Sequence, residues 1–490
     1  MAILILEPNV NGRAQASIEE GAARYAEVGR LLAYVDHDVD MPLLENPEEK
    51  PLPCREPAEE TTAVSAHFSA QLHALYEQLA AYDARSAASL AEAKLAPIDE
   101  NGVEVKITVG YQSFTSYPAC QHLIYHARRR TLHNPGTLPA LPFVRKLRIV
   151  QGCGPLREFH FSRVRPVSLR VPLECLVRLP GVAEIDCPWL WEWLPVPAAS
   201  QPMRHFARVW EGTWRDARHE FGAAMGKQEE LPGGLLIPAT LTKARLWFWQ
   251  PRLTCDDNQA LAMPDLVAPA QQDPLSVGLR TLAAQLQELN LRAFVTEHLF
   301  PAPDAPSSAQ WSRMRRLTIE FHPLRPDGSW YFVGPRGEDP HPEGFAINEA
   351  DHYPPVQTTA EDEEVDEQWD VDPQGGEEVE FFPDVFRTEP LAERIEPLLA
   401  GFPSAVKNMG VLERRSSLPT WRGILPRAGQ TNTGTRRRTT AKTACIVVQW
   451  QVGDWRTSQS VLGLFEDLGR QDWLDFEFEQ KRNIVRHAVA

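Results

Sequence analysis

A short apolar phrase, Φ-x-x-Φ-x-Φ with Φ apolar, returns at irregular intervals along this chain and limits what it can fold into. It reads Val144-x-x-Leu147-x-Ile149, Val182-x-x-Ile185-x-Cys187, Leu241-x-x-Ala244-x-Leu246 (with Phe248), Leu286-x-x-Leu289-x-Leu291, Met314-x-x-Leu317-x-Ile319 (with Phe321) and Trp473-x-x-Phe476-x-Phe478. Alternation over the last three positions sends side chains to opposite faces of a strand, so each copy predicts a short strand facing a common core. Stacked units of this kind build solenoids, whose usual business is binding other macromolecules. The copies start at 144, 182, 241, 286, 314 and 473, a looser spacing than the roughly 20–29 residues of regular leucine-rich repeats. No copy carries the Asn of a regular repeat. The expected fold is therefore α/β, an irregular leucine-rich-repeat-like solenoid with long insertions.

Around the phrases the chain divides by composition. Residues 1–140 form an N-terminal helical and strand region. In it Met1–Leu6 reads as a strand, Gly21–Val35 as helical, and 41–62, with Pro42, Pro47, Pro51, Pro53 and Pro57, as a mobile Pro/Glu-rich linker. From Val64 to about Lys94 the pattern Phe68, Leu72, Leu75, Leu79 is helical, and Val103, Val105, Ile107 and Val109 alternate as a strand. The repeat-like body is expected over 141–412, with Val171–Arg178 as a helical turn and Pro390–Phe402 as an amphipathic helix. Leucines 279, 282, 286 and 289 suggest a helix running into a strand. Within this body 361–380 holds eleven acidic residues and no basic one, so self-repulsion predicts disorder there. A flexible loop is expected over 413–445, ending near Arg436-Arg437-Arg438. A C-terminal repeat or cap follows over 446–490, with a strand at Ile446–Val452 and a short helix at Ser460–Leu468.

Charge and cysteine content exclude several function classes. Fifty basic against 66 acidic residues leave a net charge of −16, which argues against a general polyanion-binding surface, so nucleic acid is not an expected partner. The seven cysteines, Cys54, Cys120, Cys153, Cys175, Cys187, Cys255 and Cys445, are few, odd in number and scattered. They favour a reducing compartment, cytoplasmic or nuclear, over a disulfide framework. The apolar opening stops at Glu7 with no basic n-region, and no stretch approaches the roughly 18 apolar residues of a membrane helix. No membrane partner is expected.

Three segments, Glu184-Ile185-Asp186-Cys187-Pro188-Trp189-Leu190-Trp191-Glu192, Trp210–Arg218 and Gly328–Phe345, give the chain a family likeness. It resembles filamentous-fungal F-box or F-box-like proteins with an irregular leucine-rich-repeat-like body, over roughly 141–402 and 447–482. The resemblance implies a non-catalytic protein-interaction protein, a substrate-receptor subunit of a cullin-type ubiquitin ligase, whose F-box would bridge to the small ligase adaptor. No segment before Tyr34 opens with the Leu-Pro-x-Glu-like phrase of an F-box, so an adaptor partner is expected only if such a module lies upstream of Met1. In the repeat-like body, Met409-Gly410-Val411-Leu412-Glu413 starts like another copy, but Arg414-Arg415-Ser416-Ser417 breaks it.

If the Φ residues point inward, the residues between them line the open face: Arg148, Asp186, Arg245, Trp247, Asn290, Arg292, Thr318, Glu320 and His322. Neighbouring strands would bring these side chains together as a protein-binding surface, and Arg and Trp are enriched at interface hot spots. The bland alternative is a solvated sheet face. Tryptophans at 189, 191, 193, 210 and 214, and at 247 and 249, read as core filling between repeats rather than an aromatic cage. The Gly334–Phe345 loop gathers Arg336, Glu338, Asp339, His341 and Glu343, which reads as an ordered turn before it reads as an acid–base or metal site. Gly152-Cys153-Gly154 lacks the rest of a dinucleotide fingerprint. Cys-x-x-Cys, His-Glu-x-x-His, Walker and Gly-x-Ser-x-Gly patterns are absent, so no cofactor, metal or catalytic residue is expected. Two further readings stand beside the receptor: a stand-alone protein-binding scaffold, and a hydrolase using the Glu338/His341 loop.

Overall fold

The computed structural model describes residues 3–6, 34–42, 44, 53–93, 102–112, 125, 127–151, 163–192, 208, 210–226, 234–249, 258–302, 306, 310–371, 384, 386–409, 420–423, 446–450, 457–466 and 474–478. Eight strands, β1 (Ile3–Leu6), β2 (Tyr34–Val39), β3 (Val103–Val109), β4 (Val144–Gln151), β5 (Glu184–Cys187), β6 (Lys243–Trp247), β7 (Glu288–Ala293) and β8 (Arg316–Phe321), lie side by side in chain order. Every neighbouring pair is parallel. Two residues of β9 (Phe332–Val333) pair antiparallel with β10 (Glu389–Pro390), and β11 (Thr420–Gly423) extends the main sheet beside β8. A separate parallel pair joins β12 (Ile446–Trp450) to β13 (Leu474–Phe478). The main sheet stays open, with β1 and β11 at its edges, and does not close into a barrel.

Helices interleave with the strands, as parallel neighbours require a crossover rather than a hairpin. They are α1 (Ala58–Ala93), α2 (Val171–Leu176), α3 (Glu211–Met225), α4 (Pro274–Ala283), α5 (Ala360–Val371), α6 (Ala392–Lys407) and α7 (Gln459–Glu466). Helix α4 starts where its sequence says it should. Asp273 caps it by accepting from the Ser276 amide at 2.9 Å, and Pro274 occupies the first turn, where its missing N–H is not needed. Gly222 of α3 lies so near Pro274 that an added Cβ would fall 2.6 Å from the proline carbonyl oxygen, which fixes how closely α3 and α4 approach.

The apolar phrase has one local geometry, used five times. Its first residue closes a tight turn onto the carbonyl three residues back: Val144 on Leu141, Val182 on Leu179, Leu241 on Pro238, Leu286 on Ala283 and Met314 on Trp311. All five are fully buried. The next residue offers its carbonyl to the following copy, where two consecutive amides take it. Ala183 O accepts from Thr242 and Lys243, Thr242 O from Gln287 and Glu288, and Gln287 O from Arg315 and Arg316. The last two apolar positions then stack across the sheet, Ile185, Ala244, Leu289 and Leu317 in one row and Cys187, Leu246, Leu291 and Ile319 in the next.

These rows join Phe68, Leu72, Leu75 and Leu79 of α1, Trp214 and Phe221 of α3, Leu275 and Leu279 of α4, and Ile395 and Leu398 of α6 in one core. Each fully buried side chain of this size contributes about 1.5–3 kcal/mol through removal from water. The core does not begin at residue 141. Val35, Val105 and Leu147 are register partners, so the sheet runs unbroken from β2 through β8 and the N-terminal strands share its apolar side.

Several expectations change. The acidic segment 361–380 is not wholly unstructured, because its first part is helix α5. Acidic residues suit the first turn of a helix, where the peptide dipoles present positive charge. Asp362 is also fully buried against Arg55, whose Nε donates to both carboxylate oxygens at 3.0 and 3.1 Å. The same contact corrects the linker at 41–62, whose later residues are held in place. Arg55 and Glu56 are buried, Glu56 pairs with Arg130 and Arg165, and α1 begins at Ala58, ahead of the expected Val64. Tyr34 and Val35 belong to β2 rather than to a helix, while 21–33 lie outside the described residues. Within the expected loop 413–445, Thr420–Gly423 is strand β11. The sixth phrase does form a strand, β13, but it pairs with β12 and is not a rung of the main sheet.

Candidate functional site

Alternation along β2 to β8 leaves a second side to the sheet, and it is polar. In each phrase the third and fifth residues point there, one strand spacing of about 4.8 Å from their neighbours. The third positions run Lys146, Glu184, Lys243, Glu288, Arg316 in register, with Glu104 of β3 before them. Sign alternates at every step. Lys146 reaches Glu104 at 3.5 Å and Glu184 at 3.2 Å, and Glu288 takes Lys243 at 3.2 Å and Arg316 at 3.5 Å. Partial burial works against the Lys146 ammonium, but the hydrogen bond and charge of Glu184 outweigh it and raise its pKa above the usual lysine value.

The fifth positions form the row Arg148, Asp186, Arg245, Asn290, Thr318. Arg245 grips Asp186 with Nε on one oxygen and Nη2 on the other, both at 2.6 Å, the planar fork matching the carboxylate. Arg148 sits on the other flank of Asp186 at 3.5 Å. Two residues on, Trp247, Arg292 and Glu320 share a third row. The Arg292 guanidinium lies over the Trp247 ring at 3.7 Å and its Nε donates to Glu320 at 2.7 Å, while the Trp247 indole N–H donates to Asn290 at 2.8 Å. Eight of the nine residues read from the sequence as the open face, all but His322, therefore do stand together on one side.

They are not equally available. Asp186 and Glu320 are buried beneath the arginines that pair with them. His322 does not belong to the face at all. Strand β8 ends at Phe321, and the histidine is only 2% exposed, its ring 4.3 Å from Phe294 and 5.3 Å from Trp249. Its Nδ1 accepts from the Leu324 amide. Strict alternation carried one residue past the end of the strand predicts the wrong side.

The reading missed the third-position row, although the signal stood in plain view: Lys, Glu, Lys, Glu, Arg in five successive copies. It also missed a buried ionic cluster behind the C-terminal ends of β5 to β7. There Arg218 pairs with Glu192 and, at 2.8 Å, with both oxygens of Asp273, and Trp214 donates to Glu192 at 3.2 Å. All three charged side chains are fully buried.

Tryptophans 189, 191, 210, 214 and 249 are buried, and Trp189 and Trp191 stack with centroids 3.6 Å apart, as core filling requires. Trp193, Gly152-Cys153-Gly154 and Arg436–Arg438 lie outside the described residues. In the 334–345 loop, Asp339 is taken by Arg387 at 2.6 Å and Arg394 at 3.0 Å, which ties the loop to the start of α6, and Glu338 is exposed. Burial pushes the Cys175 thiol up to about 12 and raises that of Cys187 as well, which disfavours the thiolate at both in the folded state. Among the described residues no cluster of His, Cys, Asp and Glu is arranged to hold a metal ion, and no helix is long and apolar enough to cross a membrane.

No protein-family model matches the chain, and no curated protein or solved structure matches it either.

Proposed function

We propose that this chain is a non-catalytic protein-interaction protein with an irregular leucine-rich-repeat-like architecture, and that it binds a protein partner through the polar side of its parallel sheet. The observation that carries the reading is the alignment of side chains on that side. Five consecutive strands bring Arg148, Asp186, Arg245, Asn290 and Thr318 into one row, with Trp247 and Arg292 beside it. A row of this kind is a ready-made contact strip, rich in the residue types that dominate interface energetics. The turn recurring in five phrases, and the carbonyl shared by two amides in three of them, support a repeat origin for the scaffold.

The finer reading is an F-box-like substrate receptor of a cullin-type ubiquitin ligase. Such a receptor makes no bond itself. It raises the effective concentration of a substrate near the conjugating enzyme. The purified chain is mixed with the small ligase adaptor. Retention of the adaptor supports the receptor, whereas capture of a partner without it, abolished by Trp247→Ala, supports a stand-alone scaffold. A hydrolase using Glu338 and His341 is the third reading, and turnover lost in the Glu338→Gln, His341→Ala double variant would overturn both of the others.

A further inference from the structure

We infer that the segment received by this face is an acidic peptide, recognised through its carboxylates; the inference rests on the reading of the face as a protein-binding surface. The fifth-position row has two cations to one anion, the row of Trp247, Arg292 and Glu320 one of each, and both are layered in space. Asp186 keeps only 6% of its side chain exposed, whereas Arg148 and Arg245 on either side keep 37% and 35%. Glu320 and Arg292 repeat the order at 11% and 20%. Within these two groups the anions lie beneath and the cations on top, so a molecule approaching here meets guanidinium first, whereas in the adjoining third-position row Glu184 at 37% is as open as Lys146 at 28%.

Hydrogen-bond capacity is layered the same way. Asp186 spends both oxygens on Arg245, which leaves Nη1 of that arginine without an acceptor among the described residues. Arg148 touches Asp186 only as an ion pair through its buried Nε, while its side chain as a whole stays 37% exposed. Asn290 uses its carbonyl oxygen on Trp247, which leaves its amide NH2 without an acceptor among the described residues. What the patch still offers is donors on Arg245 and Asn290 beside two partly exposed cations, and the group that answers them is a carboxylate.

Charge selects the size of the ligand. The chain as a whole carries −16, so a long polyanion is repelled along most of its length, while a short acidic segment feels only the patch. An acidic peptide therefore fits better than nucleic acid.

The test uses the full chain and fluorescent peptides of one length, Glu-rich, Gln-rich and Lys-rich, with a single-stranded oligonucleotide as a fourth probe, followed by anisotropy. The Glu-rich peptide should bind best and weaken about tenfold as salt rises from low to physiological strength. Arg148→Gln should weaken it about three- to tenfold with only a small change in the thermal melt, because Arg245 still holds Asp186 through two hydrogen bonds, and Arg148→Glu should weaken binding further while also lowering the melt by setting a second carboxylate beside Asp186. Thr281→Glu, on the helix side, should leave binding as it was. Equal binding of the Gln-rich or Lys-rich peptide, tighter binding of the oligonucleotide, no binding of the Glu-rich peptide, or indifference to Arg148 overturns the inference. A protein cross-linked from position 290 through a neutral or basic segment would overturn this inference alone. Absence of any cross-link there would take the underlying reading with it.

Discussion

Arg245 and Asp186 meet across the β5–β6 pair through two hydrogen bonds of 2.6 Å, and the carboxylate is buried while the guanidinium is about one-third exposed. The arginine is thus both the lid on a buried charge and part of the outer surface. Removing it strands Asp186 with only Arg148 at 3.5 Å. Arg245→Ala should cost about 1–3 kcal/mol in urea unfolding, while the Asp186→Ala, Arg245→Ala pair should cost clearly less than the two singles added. Strict additivity would mean the pair is uncoupled in solution.

The second ionic site has no solvent to fall back on. Arg218, Glu192 and Asp273 are all fully buried, so Arg218→Met leaves two carboxylates without their cation. The expected loss is about 3–5 kcal/mol, read from chemical denaturation. A shift under about 1 kcal/mol would show that the cluster is hydrated or already neutral.

Helix α5 is anchored at its start. Its Asp362 is held by Arg55, and Thr359 and Asp362 cap each other, amide to side chain, at 2.9 and 3.1 Å. A glutamate-specific protease should spare Glu363 and Glu364 in the intact protein and cut there in Arg55→Ala. Rapid cleavage in both would mean the acidic segment is unfolded after all, as its composition alone suggests.

His37 predicts an acid-sensitive edge. It is buried on β2 with neither ring nitrogen hydrogen-bonded, and burial lowers its pKa below the usual histidine value despite Asp38 and Asp36 nearby. The folded state therefore binds this proton less readily than the unfolded chain. The stability is present in full above the unfolded pKa of about 6.5 and is lost as pH falls through it toward the lower folded value. Between about pH 7 and 5 the melting temperature of His37→Phe should fall less than that of the unaltered chain. Parallel curves would place the acid sensitivity elsewhere.

Much of this fold is legible in the chain because burial at one spacing leaves a pattern. The phrase residues Leu147, Ile185, Ala244, Leu289 and Leu317 are where a period of two places them. What the pattern cannot carry is pairing at a distance. Arg55 and Asp362 are 307 residues apart, and nothing local in either segment announces the other, so both read as loose chain. His322 fails for the opposite reason. Local alternation is trusted past Phe321, where the strand ends and the bend at Pro323 begins. The face itself was half readable, since the arginines and Trp247 were identified, but burial of Asp186 and Glu320 beneath them depends on side-chain geometry that no spacing encodes.

The most direct test of the account places a photo-crosslinking amino acid at Asn290, in the middle of the polar row, and separately at Thr281, exposed on α4. Irradiation in cells should join a protein partner to the chain from position 290 and not from 281, and Arg148→Glu should diminish the product. Cross-linking from 281 with none from 290 would contradict the account, because the partner would then sit on the helices and not on the sheet.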